Sequence, residues 1–159
     1  MGALFYNCVK LRSINLSNFN TSHVITFEKR FYHCSKLASI DLSTFQISRA
    51  ANMSFMFYHC SNLELIDFGK INTLSIINLE NLFVYCLKII SIDISKFDIF
   101  KVISMLSKFL NCSNLEKINF GNINTSSVEN MSNCSKLSSI NLLNFDTSHV
   151  TFFIYIFYN

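Results

Sequence analysis

Six cysteines, four histidines and ten acidic residues are the side chains of this sequence with chemistry to offer. The cysteines are Cys8, Cys34, Cys60, Cys86, Cys112 and Cys134, and their separations are 26, 26, 26, 26 and 22 residues. A thiolate zinc site needs close pairs such as C-x2-C, and the sequence has none. One cysteine per fixed period points instead to an internal repeat. Stacked repeats would set neighbouring thiols about 5 Å apart, within reach of a disulfide by backbone separation. Free cysteine is also among the most buried residue types, so the expectation is a ladder of buried, reduced thiols.

His33 and His59 stand directly before Cys34 and Cys60, and adjacent repeats would bring the four near one another. Neighbours in an extended stretch point to opposite sides, and Asn7, Tyr85, Asn111 and Asn133 fill the same column elsewhere. No metal site is expected there. His23 and His149 share a variable column with Arg49 and Lys101 and read as solvated surface. The sequence carries no G-x-S-x-G, no glycine-rich phosphate loop and no H-E-x-x-H. Nearly every polar residue belongs to a repeating column, whereas an active site needs a unique constellation. No catalytic residue, no cofactor and no enzymatic activity are expected.

One polar column stands out as a binding surface. Asn15, Asp41, Asp67, Asp93, Asn119 and Asn141 recur at one position of the repeat, and on stacked strands they would line one exposed face. Consecutive carboxylates about 5 Å apart repel by roughly 0.8 kcal/mol per neighbour pair in water, which a cation or a basic partner would relieve. Serines (Ser13, Ser39, Ser91, Ser139) and Lys70 and Lys96 flank the strip. The plainer reading is that Asp and Asn keep the face wet and the strands soluble.

The elements that would position this strip follow from the apolar columns. Three residues after each cysteine stand Leu11, Leu37, Leu63, Ile89, Leu115 and Leu137. Three further on, every repeat has isoleucine: Ile14, Ile40, Ile66, Ile92, Ile118 and Ile140. Two beyond that come Leu16, Leu42, Phe68, Ile94, Phe120 and Leu142. That alternation, with Asn or Asp between, predicts a short strand. The second half of the repeat changes period. Val24, Phe27 and Phe31, then Ile76, Leu79 and Phe83, then Val102, Met105 and Phe109 follow an i, i+3, i+7 stripe, which predicts a helix of about nine residues, too short to persist alone in water. Asn20-Thr21-Ser22, Asn124-Thr125-Ser126 and Asp146-Thr147-Ser148 precede it, residue types that close an Asx-turn or cap a helix. The expected fold is an α/β solenoid, a right-handed coil with one short parallel strand and one short helix per 26-residue turn.

The repeat resembles leucine-rich repeats in its L-x-x-I-D-L stretch. It resembles more closely the BspA-type surface-protein repeat, a 26-residue unit seen here as MFYHCSNLELIDF from Met56 and CSKLSSINLLNFDTSHV from Cys134. The resemblance spans the whole chain and implies a cell-surface or secreted parent protein engaged in adhesion and partner binding. The chain divides into a partial unit, 1–7, and repeats 8–33, 34–59, 60–85, 86–111, 112–133 (shortened) and 134–159. Met1 to Asn7 has neither the charge nor the apolar run of a signal peptide. The chain opens inside a repeat and ends on the apolar run Phe152 to Tyr158, with no polar caps. The expectation is therefore a fragment of a longer array whose open ends could self-associate end to end.

Composition limits the partners. Thirteen basic and ten acidic residues leave a net charge of +3, too small and dispersed to favour nucleic acid or an anionic membrane. Half the residues are apolar and only 14% charged, which argues for a packed core rather than disorder. The longest wholly apolar run is seven residues, against roughly twenty for a spanning helix, so no membrane span is expected. The reading is a repeat module for surface adhesion or for binding a protein or glycan. The alternatives are a structural or decayed fragment without a binding role of its own, and an intracellular interaction scaffold.

Overall fold

The computed structural model describes residues 3–98, 101–102, 107–121 and 134–140. Five short strands begin five residues after successive cysteines: β1 (Ser39–Asp41), β2 (Leu65–Asp67), β3 (Ser91–Asp93), β4 (Lys117–Asn119) and β5 (Ser139–Ile140). All pairing is parallel. Ile40 lies opposite Ile66 and Ile92 opposite Ile118, each 26 residues on. β4 pairs with β5 by placing Ile118 against Ile140, an offset of 22. The described strands form two sheets, β1-β2 and β3-β4-β5. In β1, β3 and β4 the middle isoleucine is buried between two exposed neighbours, as period-2 alternation requires.

The apolar columns close into one core running from Leu16 to Cys134. Phe31, Phe57, Phe83 and Phe109 stack near-parallel at a constant 5.7 Å between centroids. Such ring contacts add to the burial of each side chain. The stripe of Val24, Phe27, Phe31, Ile76, Leu79, Phe83, Val102 and Phe109 is buried throughout.

The helix expected over that stripe is absent from its described residues, and 103–106, with Met105, lie outside them. Among the described residues there is no helix, and the second half of the repeat is built from turns and bridges. Thr26 bridges Asn52 and Asn52 bridges Asn78, both in parallel. From there, alternate amides reach forward to the next repeat: those of Phe27, Lys29, Phe31 and His33 donate to the carbonyls of Asn52, Ser54, Met56 and Tyr58 at 2.7–3.0 Å. Intervening amides fold back three residues, Arg30 to Phe27, Tyr32 to Lys29 and Cys34 to Phe31. The next repeat does the same from Met53 to His59. A helix this short gains little from its own hydrogen bonds, whereas a neighbouring repeat at strand spacing satisfies every second amide.

The backbone turns there through left-handed residues. One column holds Lys29, Phe55, Asn81 and Ser107 at φ 50 to 56°, and the column before the cysteine holds Asn7, His33, His59, Tyr85 and Asn111 at φ 57 to 60°. A non-glycine residue in that region costs roughly 1–2 kcal/mol, least for Asn. These positions interrupt any helical φ within the stripe and explain why a helical period of apolar residues does not yield a helix.

Candidate binding surface

The polar column falls where it was expected. Asn15, Asp41, Asp67, Asp93 and Asn119 are all exposed, and Asn141 lies outside the described residues. Asp41 stands opposite Asp67 in the β1-β2 register, and Asp93 opposite Asn119 in β3-β4. The structure adds a role that column reading missed. Each side chain accepts, through Oδ1, the amide hydrogen two residues on: Ser17 to Asn15 at 3.0 Å, Ser43 to Asp41 at 2.8 Å, Gly69 to Asp67 at 2.8 Å, Ser95 to Asp93 at 2.9 Å and Gly121 to Asn119 at 3.1 Å. The last four of these Asx-turns end β1 to β4. The signal in the sequence was the restriction of the column to Asp and Asn, the two residues that make this turn best.

The turn occupies one oxygen of each carboxylate. The second oxygen of Asp93 accepts from Asn119 Nδ2 at 3.2 Å. Hydrogen bonds from Ser43, hydroxyl first and amide second, hold the Asp41 carboxyl below the usual carboxylate range. Partial burial pulls Asp93 upward, but hydrogen bonds from Ser95 and Asn119 and the charge of Lys96 outweigh it and the net direction is down. Both side chains are therefore anionic at neutral pH.

A cleft of about 190 Å³ lies where β2 and β3 belong to different sheets, with Asp67, Gly69, Asp93, Ser95 and Lys96 around a floor of Ile66, Phe68 and Phe97. Gly69 has φ +56°, and a Cβ there would lie 2.7 Å from the Cα of Ser43. No side chain fits at that point without moving the backbone of the preceding repeat.

The cysteine ladder is buried and unpaired: all six thiols are free, and all but Cys8 are buried. Each buried thiol donates to a phenylalanine carbonyl 29 residues back, or 25 for Cys134: Cys34 to Phe5, Cys60 to Phe31, Cys86 to Phe57, Cys112 to Phe83 and Cys134 to Phe109, at 3.0–3.2 Å. Desolvation raises every one of these thiols above its ordinary pKa, Cys34 and Cys134 to about 11. Such thiols are poor nucleophiles and poor metal ligands. They tie one repeat to the next.

Among the described residues two cations are buried. Arg30 lies with its guanidinium 4.6 Å over the ring of Phe27 and donates to the Thr26 carbonyl. Lys108 is 3% exposed and its Nζ has no hydrogen-bond partner. Burial pushes that amine down to about 7. Neither was singled out from sequence; both share one column with Met56 and Leu82, and a charged residue in an otherwise apolar column was the available signal.

On the outside of the cysteine column the aromatic residues form two stacks. Tyr6, Tyr32 and Tyr58 lie parallel at 4.9 Å. His33 and His59 are 5.4 Å apart, and Tyr85 stacks on His59 at 4.3 Å. Burial first, and the nearby His33 second, lower the pKa of His59. The histidines and thiols thus face different ways, as expected from their adjacency. Among the described residues no three His, Cys, Asp or Glu side chains gather as a metal centre, and no helix is long and apolar enough to cross a membrane.

No curated protein and no solved structure matches the chain. The family described as "Mycoplasma protein of unknown function, DUF285" matches it twice, over residues 1–89 and 77–159. Those two stretches together run the length of the sequence, and the chain belongs to that family.

Proposed function

We propose that this chain is a non-enzymatic repeat module, wound as a right-handed solenoid, that presents its Asp/Asn strip to a protein or glycan partner. One observation carries the reading. Asn15 and Asn119 close the same Asx-turn that Asp41, Asp67 and Asp93 close. The turn therefore does not require a carboxylate, yet two lie directly opposite each other at Asp41 and Asp67, where like charges disfavour pairing. The charge is surplus to the fold and available to a partner. Contacts of this kind are individually weak and gain strength by repetition along a rigid face. The resemblance to BspA-type repeats supports a cell-surface or secreted parent protein, and the small, dispersed net charge of +3 argues against nucleic acid as the partner.

The test uses substitutions that keep the turn. Asp41→Asn, Asp67→Asn and Asp93→Asn together should leave thermal unfolding within about 1 kcal/mol of the parent. Labelled parent protein should bind a subset of an immobilised glycan and extracellular-protein panel, in a salt-dependent way, and the triple variant should lose that binding. Retention of every interaction by the triple variant would move the site off the strip.

A further inference from the structure

We propose that His33 and His59 form an exterior two-imidazole site for a divalent first-row transition-metal ion, on a different part of the repeat from the Asp/Asn strip. Three observations converge on it. The two residues hold the same position in consecutive repeats and the same left-handed backbone, φ 57° and 59°, so their Cα–Cβ bonds leave the chain in parallel. Their ring centroids are 5.4 Å apart with 65° between planes. With metal–nitrogen bonds of about 2.0–2.1 Å, two imidazoles side by side on one ion place their centroids roughly 4.5–5 Å apart, so the ladder spacing is within about 1 Å of that, and ring rotation with a small approach of His33 suffices. His33 is exposed and free to make it. The third observation is restraint: Tyr85 stacks on His59 at 4.3 Å and Tyr58 leans on it at 5.0 Å, fixing one ligand as a scaffold for the other.

The ligand class follows from the donors. Neutral imidazole nitrogen suits zinc, nickel and copper rather than magnesium or calcium, and water would complete the coordination on the exposed side. The thiols beneath take no part, because Cys34 and Cys60 donate inward to Phe5 and Phe31. A histidine is also a costly choice for this corner. Asn7 and Asn111 hold the same left-handed position in other repeats, and Asn tolerates it better.

That same column supplies fold-neutral variants. Isothermal titration of the full chain with nickel chloride should show one ion per chain in the micromolar range. His33→Asn and His59→Asn should each weaken it at least tenfold, while His23→Asn, whose ring lies beside Ser22, should leave it unchanged. As a readout that needs no variant, substoichiometric nickel should broaden the ring-proton resonances of His33 and His59 together and spare those of His23. Absence of a saturable heat in the parent chain, binding retained by both Asn variants, or broadening that spares either ring would overturn the proposal.

Discussion

The two halves of each repeat solve one problem, parallel pairing with the repeats before and after, in opposite ways. On the strand side the solution is three residues of simple alternation, ended by an Asx-turn through Asp41, Asp67 or Asp93. On the aromatic side, alternate amides pair forward while the others fold back three residues, and left-handed corners at Lys29 and His33 or Phe55 and His59 bend the chain. The strand half turns alternate side chains outward on either side of a buried isoleucine. The aromatic half spends its own on the core, where Phe31, Phe57 and Phe83 stack without solvent contact. Stability and display are thus divided between the halves.

If the aromatic half carries the stability, Phe57→Ala is its most damaging test. Phe57 is fully buried with a ring at 5.7 Å on either side, and its truncation is expected to cost about 3–5 kcal/mol, read as a lowered urea midpoint. A loss below about 1 kcal/mol would place the stability elsewhere.

Lys108 probes the same half by pH. Its amine is buried, without a hydrogen-bond partner, and pushed from 10.5 down to about 7. Between those values the unfolded chain holds a proton that the folded chain lacks, so stability rises with pH from about 7 to about 10 and is insensitive to this group below 7. Lys108→Met should abolish that slope and stabilise the chain at pH 7 by on the order of a few kcal/mol. An unchanged slope in the variant would show that another group governs it.

On the strand half, Gly69→Ala sharpens the contrast. The new methyl would meet Ser43 at 2.7 Å in a backbone at φ +56°, so a loss of about 2 kcal/mol is expected, with faster amide exchange confined to β1 and β2. The smallest effect tests the corners: Ser107→Gly at φ 50° should gain about 0.5 kcal/mol, measured as a small rise in Tm. A loss there would mean that the corner is not strained.

The strands were legible because alternation around an invariant isoleucine has one reading at this length, and β1 to β4 contain Ile40, Ile66, Ile92 and Ile118 at their centres. The aromatic half was not. Val24, Phe27 and Phe31 satisfy a helical period, but the same three point inward from a chain of tight turns, and periodicity records only which residues point inward. Asn7 and Asn111 in the column before the cysteine held the missing hint, since Asn favours left-handed corners; His33, His59 and Tyr85 in the same column obscured it. The exposed strip was legible as a surface. Its turn-closing role was hidden because Asp and Asn there serve backbone and solvent at once. Four residues are missing from the fifth repeat, which predicts a skipped rung of the phenylalanine ladder and a first point of opening at 126–134, of which 126–133 lie outside the described residues.

The offset of 22 between β4 and β5 has a consequence for how such a sequence can change. Although four residues are missing between Cys112 and Cys134, Cys134 still reaches the carbonyl of Phe109, and Ile140 still meets Ile118. From the thiol to Ile140 the pairing is back in step. Cys134 thus marks a reset point: the loss upstream of it leaves Ser139 and Ile140 on their partners Lys117 and Ile118. Lineages could edit one flank of the array freely while the strand spacing on the other stays constant.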